Sequence, residues 1–83
     1  MVFLLELYVP RTGAEDEARR LALEVGRAAP GLTHRGTLLV AEDETCFLLF
    51  EAASRDEVVS AAGALAQQPR IVEAQELSGR ERP

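Results

Sequence analysis

The chain of 83 residues contains one cysteine, one histidine, no lysine and no tryptophan. A single cysteine cannot form an intrachain disulfide, which fits a reducing cytoplasm. With no second cysteine or histidine, the chain lacks the usual ligand set of a zinc-type site. Its net charge of −5 argues against a nucleic-acid partner, because phosphate binding depends on clustered basic side chains.

Long hydrophobic runs are also missing. The N-terminal segment 1–9 is apolar but short, and it contains Glu6 and no basic residue of the kind that begins a signal peptide. No other run approaches the roughly 20 apolar residues of a membrane-spanning helix. We therefore expect a soluble, cytoplasmic protein with no membrane partner.

Hydrophobic periodicity divides the chain into six elements. Apolar runs at 2–9, 32–40, 45–52 and 70–77 predict strands, with a hairpin around the turn at 41–44. Two segments between them have helical spacing, and each begins with a predicted capping box, Thr12 with Glu15 and Ser54 with Glu57. The apolar helix faces consist of Ala14, Ala18, Leu21, Ala22 and Val25 in the first and Val58, Ala61, Ala62 and Leu65 in the second. Pro30 and Pro69 end the helices.

The order βαββαβ predicts a ferredoxin-like α+β domain over residues 1–78, followed by a disordered tail at 79–83. In this fold an antiparallel four-stranded sheet in the order 4-1-3-2 carries two helices on one face. The first and third strands are then central. They are also the only two strands that are apolar on both faces.

Two helices cover only one face of the sheet. The wholly apolar sets are expected to face them: Phe3, Leu5, Leu7 and Val9, with Cys46, Leu48, Phe50 and Ala52. Leu4, Tyr8, Phe47 and Leu49 then point away from the helices. A large apolar patch left in water is unfavourable and usually marks an interface. We therefore predict a homodimer of the dimeric α+β barrel type.

The single cysteine raises the question of a catalytic thiol. Cys46 alternates with Leu48 and Phe50, on the side expected to face the helices, where a free cysteine behaves as a small apolar residue. Acidic neighbours in the chain also disfavour a thiolate. We interpret Cys46 as part of the core.

Polar residues on the uncovered face are the candidate site. Glu6, Tyr8 and Glu51 lie there among apolar neighbours, and Glu73 and Gln75 join them if the last strand keeps the same register. His34, approaching from the second strand, would complete a carboxylate–imidazole set for a divalent metal. The competing interpretation is structural: these carboxylates pair with Arg35 or with an arginine across the dimer, or they contact water at the sheet edge.

Three segments carry a resemblance to a known family: "LLELYVPR" at 4–11, "EDETCFLLFEAASRDEVVSAAG" at 42–63 and "RIVEAQEL" at 70–77. They resemble a family of small bacterial ferredoxin-like proteins of unknown function, one branch of which includes a dimeric nickel-binding protein. The resemblance implies nickel as a candidate metal. Only His34 has a counterpart among the histidine ligands of that branch.

These observations leave three functional hypotheses. The first is a homodimeric binding or sensing module with a ligand or metal cleft on the uncovered sheet face. The alternative is a dimeric α+β-barrel enzyme for a small organic substrate, with Glu6, Tyr8 or His34 as acid–base groups. The third is a structural partner for another chain.

Overall fold

A computed structural model of the protein describes residues 1–77, with four strands, two α-helices and one 3₁₀ turn. The elements are β1 (Val2–Tyr8), α1 (Ala14–Ala28), β2 (Thr33–Val40), a 3₁₀ turn (Ala41–Asp43), β3 (Thr45–Glu51), α2 (Arg55–Ala62) and β4 (Arg70–Ala74). The tail predicted at 79–83 and the last residue of the predicted domain lie outside the described residues. No helix among residues 1–77 is long and apolar enough to cross a membrane.

The four strands form one antiparallel sheet in the order β2-β3-β1-β4. This is the predicted order 4-1-3-2 counted from the opposite edge, so the ferredoxin-like α+β topology is confirmed. β1 and β3, the two strands that are apolar on both faces, lie in the centre. β2 and β4 are the edge strands.

The core lies between the helices and one face of the sheet. Every residue predicted for this face is buried, with Phe3, Leu5, Leu48 and Phe50 fully so, and every predicted apolar helix position is buried as well. No polar or charged side chain is buried in residues 1–77. Helix and strand periodicity therefore identified the core correctly.

The two helix starts differ in how they are capped. At α2 the Ser54 half of the predicted capping box is confirmed, because Ser54 Oγ accepts a hydrogen bond from the Glu57 N–H at 3.3 Å. At α1 the predicted Thr12–Glu15 capping box is wrong. The N-cap is Gly13, whose φ of 76° is in the left-handed region that favours glycine, and no side chain caps the helix.

The face of the sheet that points away from the helices is called the open face below. The ladder pairs Leu4 with Leu49 and Glu6 with Phe47, so the residues predicted for this face in β1 and β3 lie on it. Its full set is Thr33, Gly36, Leu38 and Val40 in β2, Thr45, Phe47, Leu49 and Glu51 in β3, Val2, Leu4, Glu6 and Tyr8 in β1, and Arg70, Val72 and Ala74 in β4.

The register of β4 corrects one expectation. Glu73 pairs with Phe3, so it lies on the helix side, at the edge of the sheet. Gln75 follows the end of the strand and is not part of the ladder. The polar residue that β4 contributes to the open face is Arg70, which pairs with Glu6.

Candidate functional site

Glu6 occupies the middle of β1 on the open face, and its environment explains how a charge is tolerated there. Its carboxylate lies 3.5 Å from Arg70 Nη1, and 39% of its side chain is exposed. The competing interpretation paired this carboxylate with Arg35. For Glu6 that expectation is wrong, because its partner is Arg70. Glu6 is therefore a half-exposed charge beside an arginine of the neighbouring strand.

Glu51 lies on the same face, but far from Glu6. Glu51 pairs with Val2, which precedes Glu6 by four residues in β1. At a rise of about 3.4 Å per residue, this places the backbone positions of the two residues about 14 Å apart along the strands. They do not form the adjacent pair that we predicted.

Arg35 is the partner of Glu51. Its Nη1 lies 3.0 Å from Glu51 Oε1, and its Nη2 lies 2.6 Å from Glu76 Oε1. Arg35 thus links β2, β3 and the segment after β4 at one end of the open face. The ion pair with Arg35 that was the competing interpretation is therefore present for Glu51.

His34 lies on the opposite side of the sheet. It pairs with Phe50, a helix-side core residue, and the two ring centroids are 5.0 Å apart. The reason is an irregularity between His34 and Gly36, where Arg35 has no partner in β3. Such a bulge adds one residue and turns the preceding side chain to the other face. The expected approach of His34 to the open face is therefore wrong.

Glu6, His34 and Glu51 could bind a metal together only if their side chains lay close to one another. Residues 1–77 contain no group of three or more His, Cys, Asp or Glu side chains that could hold an ion. His34 is on one face of the sheet, and Glu6 and Glu51 are apart on the other. The predicted carboxylate–imidazole set does not assemble within residues 1–77 of one protomer.

Tyr8 ends β1 in a hydrogen-bonded corner of the open face. Its hydroxyl donates to Glu44 Oε2 at 3.4 Å. The Gln67 side-chain amide bonds to both backbone groups of Tyr8, accepting from its N–H and donating to its carbonyl, each at 2.9 Å. Gln67, which precedes β4, thereby continues the pairing of β1 past Arg70, the first residue of that strand.

This corner contains an open depression of about 380 Å³. Its polar lining residues are Glu6, Tyr8, Asp43, Glu44, Thr45, Gln67, Gln68 and Arg70. Acidic, basic, hydroxyl and amide groups are therefore all within reach of one small polar molecule. Of this set the sequence indicated only Glu6 and Tyr8, because the others come from turns and from a strand whose register the sequence does not define.

Cys46 lies on the helix side of β3 and is fully buried. Burial raises the pKa of its thiol, and the nearby negative charge of Glu17 raises that pKa further. Both effects favour the neutral thiol, which is a poor nucleophile. The interpretation of Cys46 as a core residue is confirmed.

Comparison with known proteins adds no assignment. No protein-family model, curated protein or solved structure matches this chain.

Proposed function

We propose that the protein is a homodimeric binding module in which the open faces of two copies pack against each other. The observation that carries this proposal is the apolar content of a face that no element of residues 1–77 covers. Leu38 is 61% exposed and Tyr8 56%, while Leu4, Phe47 and Leu49 are only partly covered. Each Å² of apolar surface removed from water contributes about 25 cal/mol, against which stands the entropic cost of association.

The charges on the open face suit a second copy of the same face. It carries acidic and basic side chains together, Glu6 beside Arg70 and Glu51 beside Arg35. Around a twofold axis, each residue that contacts another receives the reciprocal contact. A face with both signs of charge can therefore set its acids against the arginines of its copy.

The depression beside Tyr8 is the ligand site of this proposal. Arg70 provides a cationic group, and Glu6 and Glu44 provide anionic ones. A small molecule with both an ammonium and a carboxylate, such as an amino acid, matches these charges. The partner protomer would close the open side of the depression. The dimeric enzyme stays a prediction.

Two matched variants test the dimer. Leu38→Glu puts a charge on the open face, and Val59→Glu makes the same chemical change on α2, where Val59 is 50% exposed. Both side chains are largely exposed in the single chain, so neither change should unfold it. Sedimentation equilibrium at micromolar concentration should give twice the chain mass for wild type and Val59→Glu, and the chain mass for Leu38→Glu. A folded wild-type monomer would contradict the proposal.

The ligand is tested separately, by titrating ¹⁵N-labelled protein with a panel of amino acids. Binding should shift the amide signals of Tyr8, Glu44 and Gln67, and Arg70→Gln should weaken it while the matched variant Arg20→Gln does not. A dimer that shows no such shift with any member of the panel would favour the third hypothesis, a structural interface.

A further inference from the structure

The helix side of the molecule contains a second concavity, separate from the depression on the open face. It lies between α1 and the edge strand β2 and has a volume of about 440 Å³. This is within the range of about 300–1,000 Å³ that is typical of small-molecule sites. Its lining residues are Arg19, Ala22, Leu23, Gly26, Arg27, His34 and Thr37. We call it the α1–β2 groove.

One stripe of α1 forms the apolar wall of the α1–β2 groove. Leu23 is 57% exposed there, a large apolar side chain left in water beside the buried Ala22. At Gly26 an added Cβ would meet no atom within 4 Å, so the absence of a side chain leaves open space. An apolar ligand segment placed over Leu23 and Gly26 would cover exposed apolar surface.

Arginines stand at both ends of this stripe. Arg19 and Arg27 are eight residues apart, about 12 Å along the helix axis at a rise of about 1.5 Å per residue. Arg19 is already paired with Glu15. No ion pair joins Arg27 to an acidic side chain within residues 1–77, which leaves its guanidinium able to bind an anion.

Two acidic side chains of α1 are paired outside the groove, and Glu15 is paired with Arg19 of its lining. Glu17 and Glu24 are both paired with Arg20. In a chain of net charge −5, the α1–β2 groove thus carries two arginines and no acidic residue in its lining. Since Glu15 neutralises Arg19, Arg27 is the arginine of the lining that is left for an anion.

The strand side of the groove provides a shaped polar wall. His34 Nε2 and Thr37 Oγ1 are 2.9 Å apart, and the His34 ring packs on Phe50. Residues three apart in a regular strand lie on opposite faces. The bulge at Arg35 brings His34 and Thr37 to the same face, so it builds this wall.

We propose that the α1–β2 groove binds a small amphipathic anion, with its apolar chain over Leu23 and Gly26 and its carboxylate on Arg27. Charge-assisted bonds from arginine to a carboxylate are among the stronger contacts available to such a ligand. The groove lies on the helix side of the sheet, so a dimer formed through the open face leaves it accessible. The inference is independent of the proposed function.

The experiment uses octanoate as the probe, with octylammonium as the probe of opposite charge, both titrated into ¹⁵N-labelled protein below their micelle concentrations. Octanoate should shift the amide signals of Leu23, Gly26, His34 and Thr37, and octylammonium should bind at least tenfold more weakly. Arg27→Gln should weaken octanoate binding about tenfold, because it removes the charged partner. Arg20→Gln makes the same change on α1 outside the groove and should leave binding unchanged.

A second pair of variants tests the apolar wall. Gly26→Leu fills the open space and should abolish octanoate binding, whereas Ala28→Leu adds the same side chain nearby, outside the lining, and should not. If Gly26→Leu fails to fold, the arginine pair still decides. Equal affinity for the two probes, equal weakening by the two arginine variants, or shifts confined to other surfaces would overturn the proposal. Equal weakening by the two arginine variants is also the result expected if Arg27 only interacts with the dipole at the end of α1.

Discussion

The two faces of the sheet are built from alternate residues of the same strands, yet they differ in polarity and in exposure to solvent. The helix face of β1 and β3 is entirely apolar and buried, with Phe3, Leu5, Cys46 and Phe50 at zero exposure. The open face places Glu6 and Glu51 among Leu4, Phe47 and Leu49, and both carboxylates are beside arginines. One face is a finished core, and the other has the mixed character of an interface.

The difference shows what each face is able to do. On the helix face, β1 and β3 contribute no polar side chain, and their only titratable group is a thiol held neutral by burial. The open face combines apolar area with charges of both signs. Non-obligate interfaces have a similar composition, with charged groups around an apolar centre.

The largest expected effect separates two phenylalanines of β3 that point to opposite faces. Phe50→Ala should lower the free energy of unfolding by about 3–5 kcal/mol, because it opens a cavity in a packed core. Chemical denaturation monitored by circular dichroism measures this loss. The loss should be the same at all protein concentrations.

Phe47→Ala is the control on the open face. Its effect should be small in dilute solution, where protomers are separate, and should grow with protein concentration as the dimer forms. Equal, concentration-independent losses for the two variants would mean that the faces do not differ as described.

A smaller effect is expected at Cys46. Cys46→Ala should cost about 1 kcal/mol of unfolding free energy, since it removes one buried heavy atom from the helix face. A thiol reagent should modify native Cys46 slowly and the urea-unfolded chain rapidly. Fast modification of the native protein would place the thiol outside the core.

The smallest effect is expected on deleting Arg35, the bulge residue. The regular ladder that results would keep His34 opposite Phe50 and Gly36 opposite Leu49. The ion pairs of Arg35 with Glu51 and Glu76 are about half exposed. We therefore expect their removal to lower the free energy of unfolding by at most about 1 kcal/mol. The His34 ring signals should keep their shift from Phe50. Their disappearance would show that the bulge residue is assigned to the wrong position.

The sequence predicted the central strands well because two physical signals agreed there. In β1 and β3 strict alternation separated the two faces, and the double apolar character placed both strands in the centre of the sheet. The helix faces were equally clear, since every predicted position from Ala14 to Leu65 is buried. Burial of one face fixes the register, because a slip of one residue would move the core side chains to the open face.

The edge strands and loops were less predictable. Counting back by twos from Leu38 and Gly36 puts His34 on the open face, and the bulge at Arg35 reverses this. Thr12 has the right spacing for a cap, but the backbone enters α1 through Gly13 in a left-handed conformation. Such features depend on local backbone geometry, which hydrophobic periodicity does not encode. Of the residues that line the depression, the sequence therefore predicted only the β1 members Glu6 and Tyr8.

The central claim is that the open face packs against a second copy of itself, and contacts between protomers test it most directly. A mixture of ¹³C-labelled and unlabelled chains allows nuclear Overhauser effects to be recorded between protomers alone. We predict such effects from the Leu38 and Leu49 methyl groups to the Phe47 ring of the partner. Their absence in a protein that sediments as a dimer, or effects that involve only helix residues such as Val59, would contradict the account.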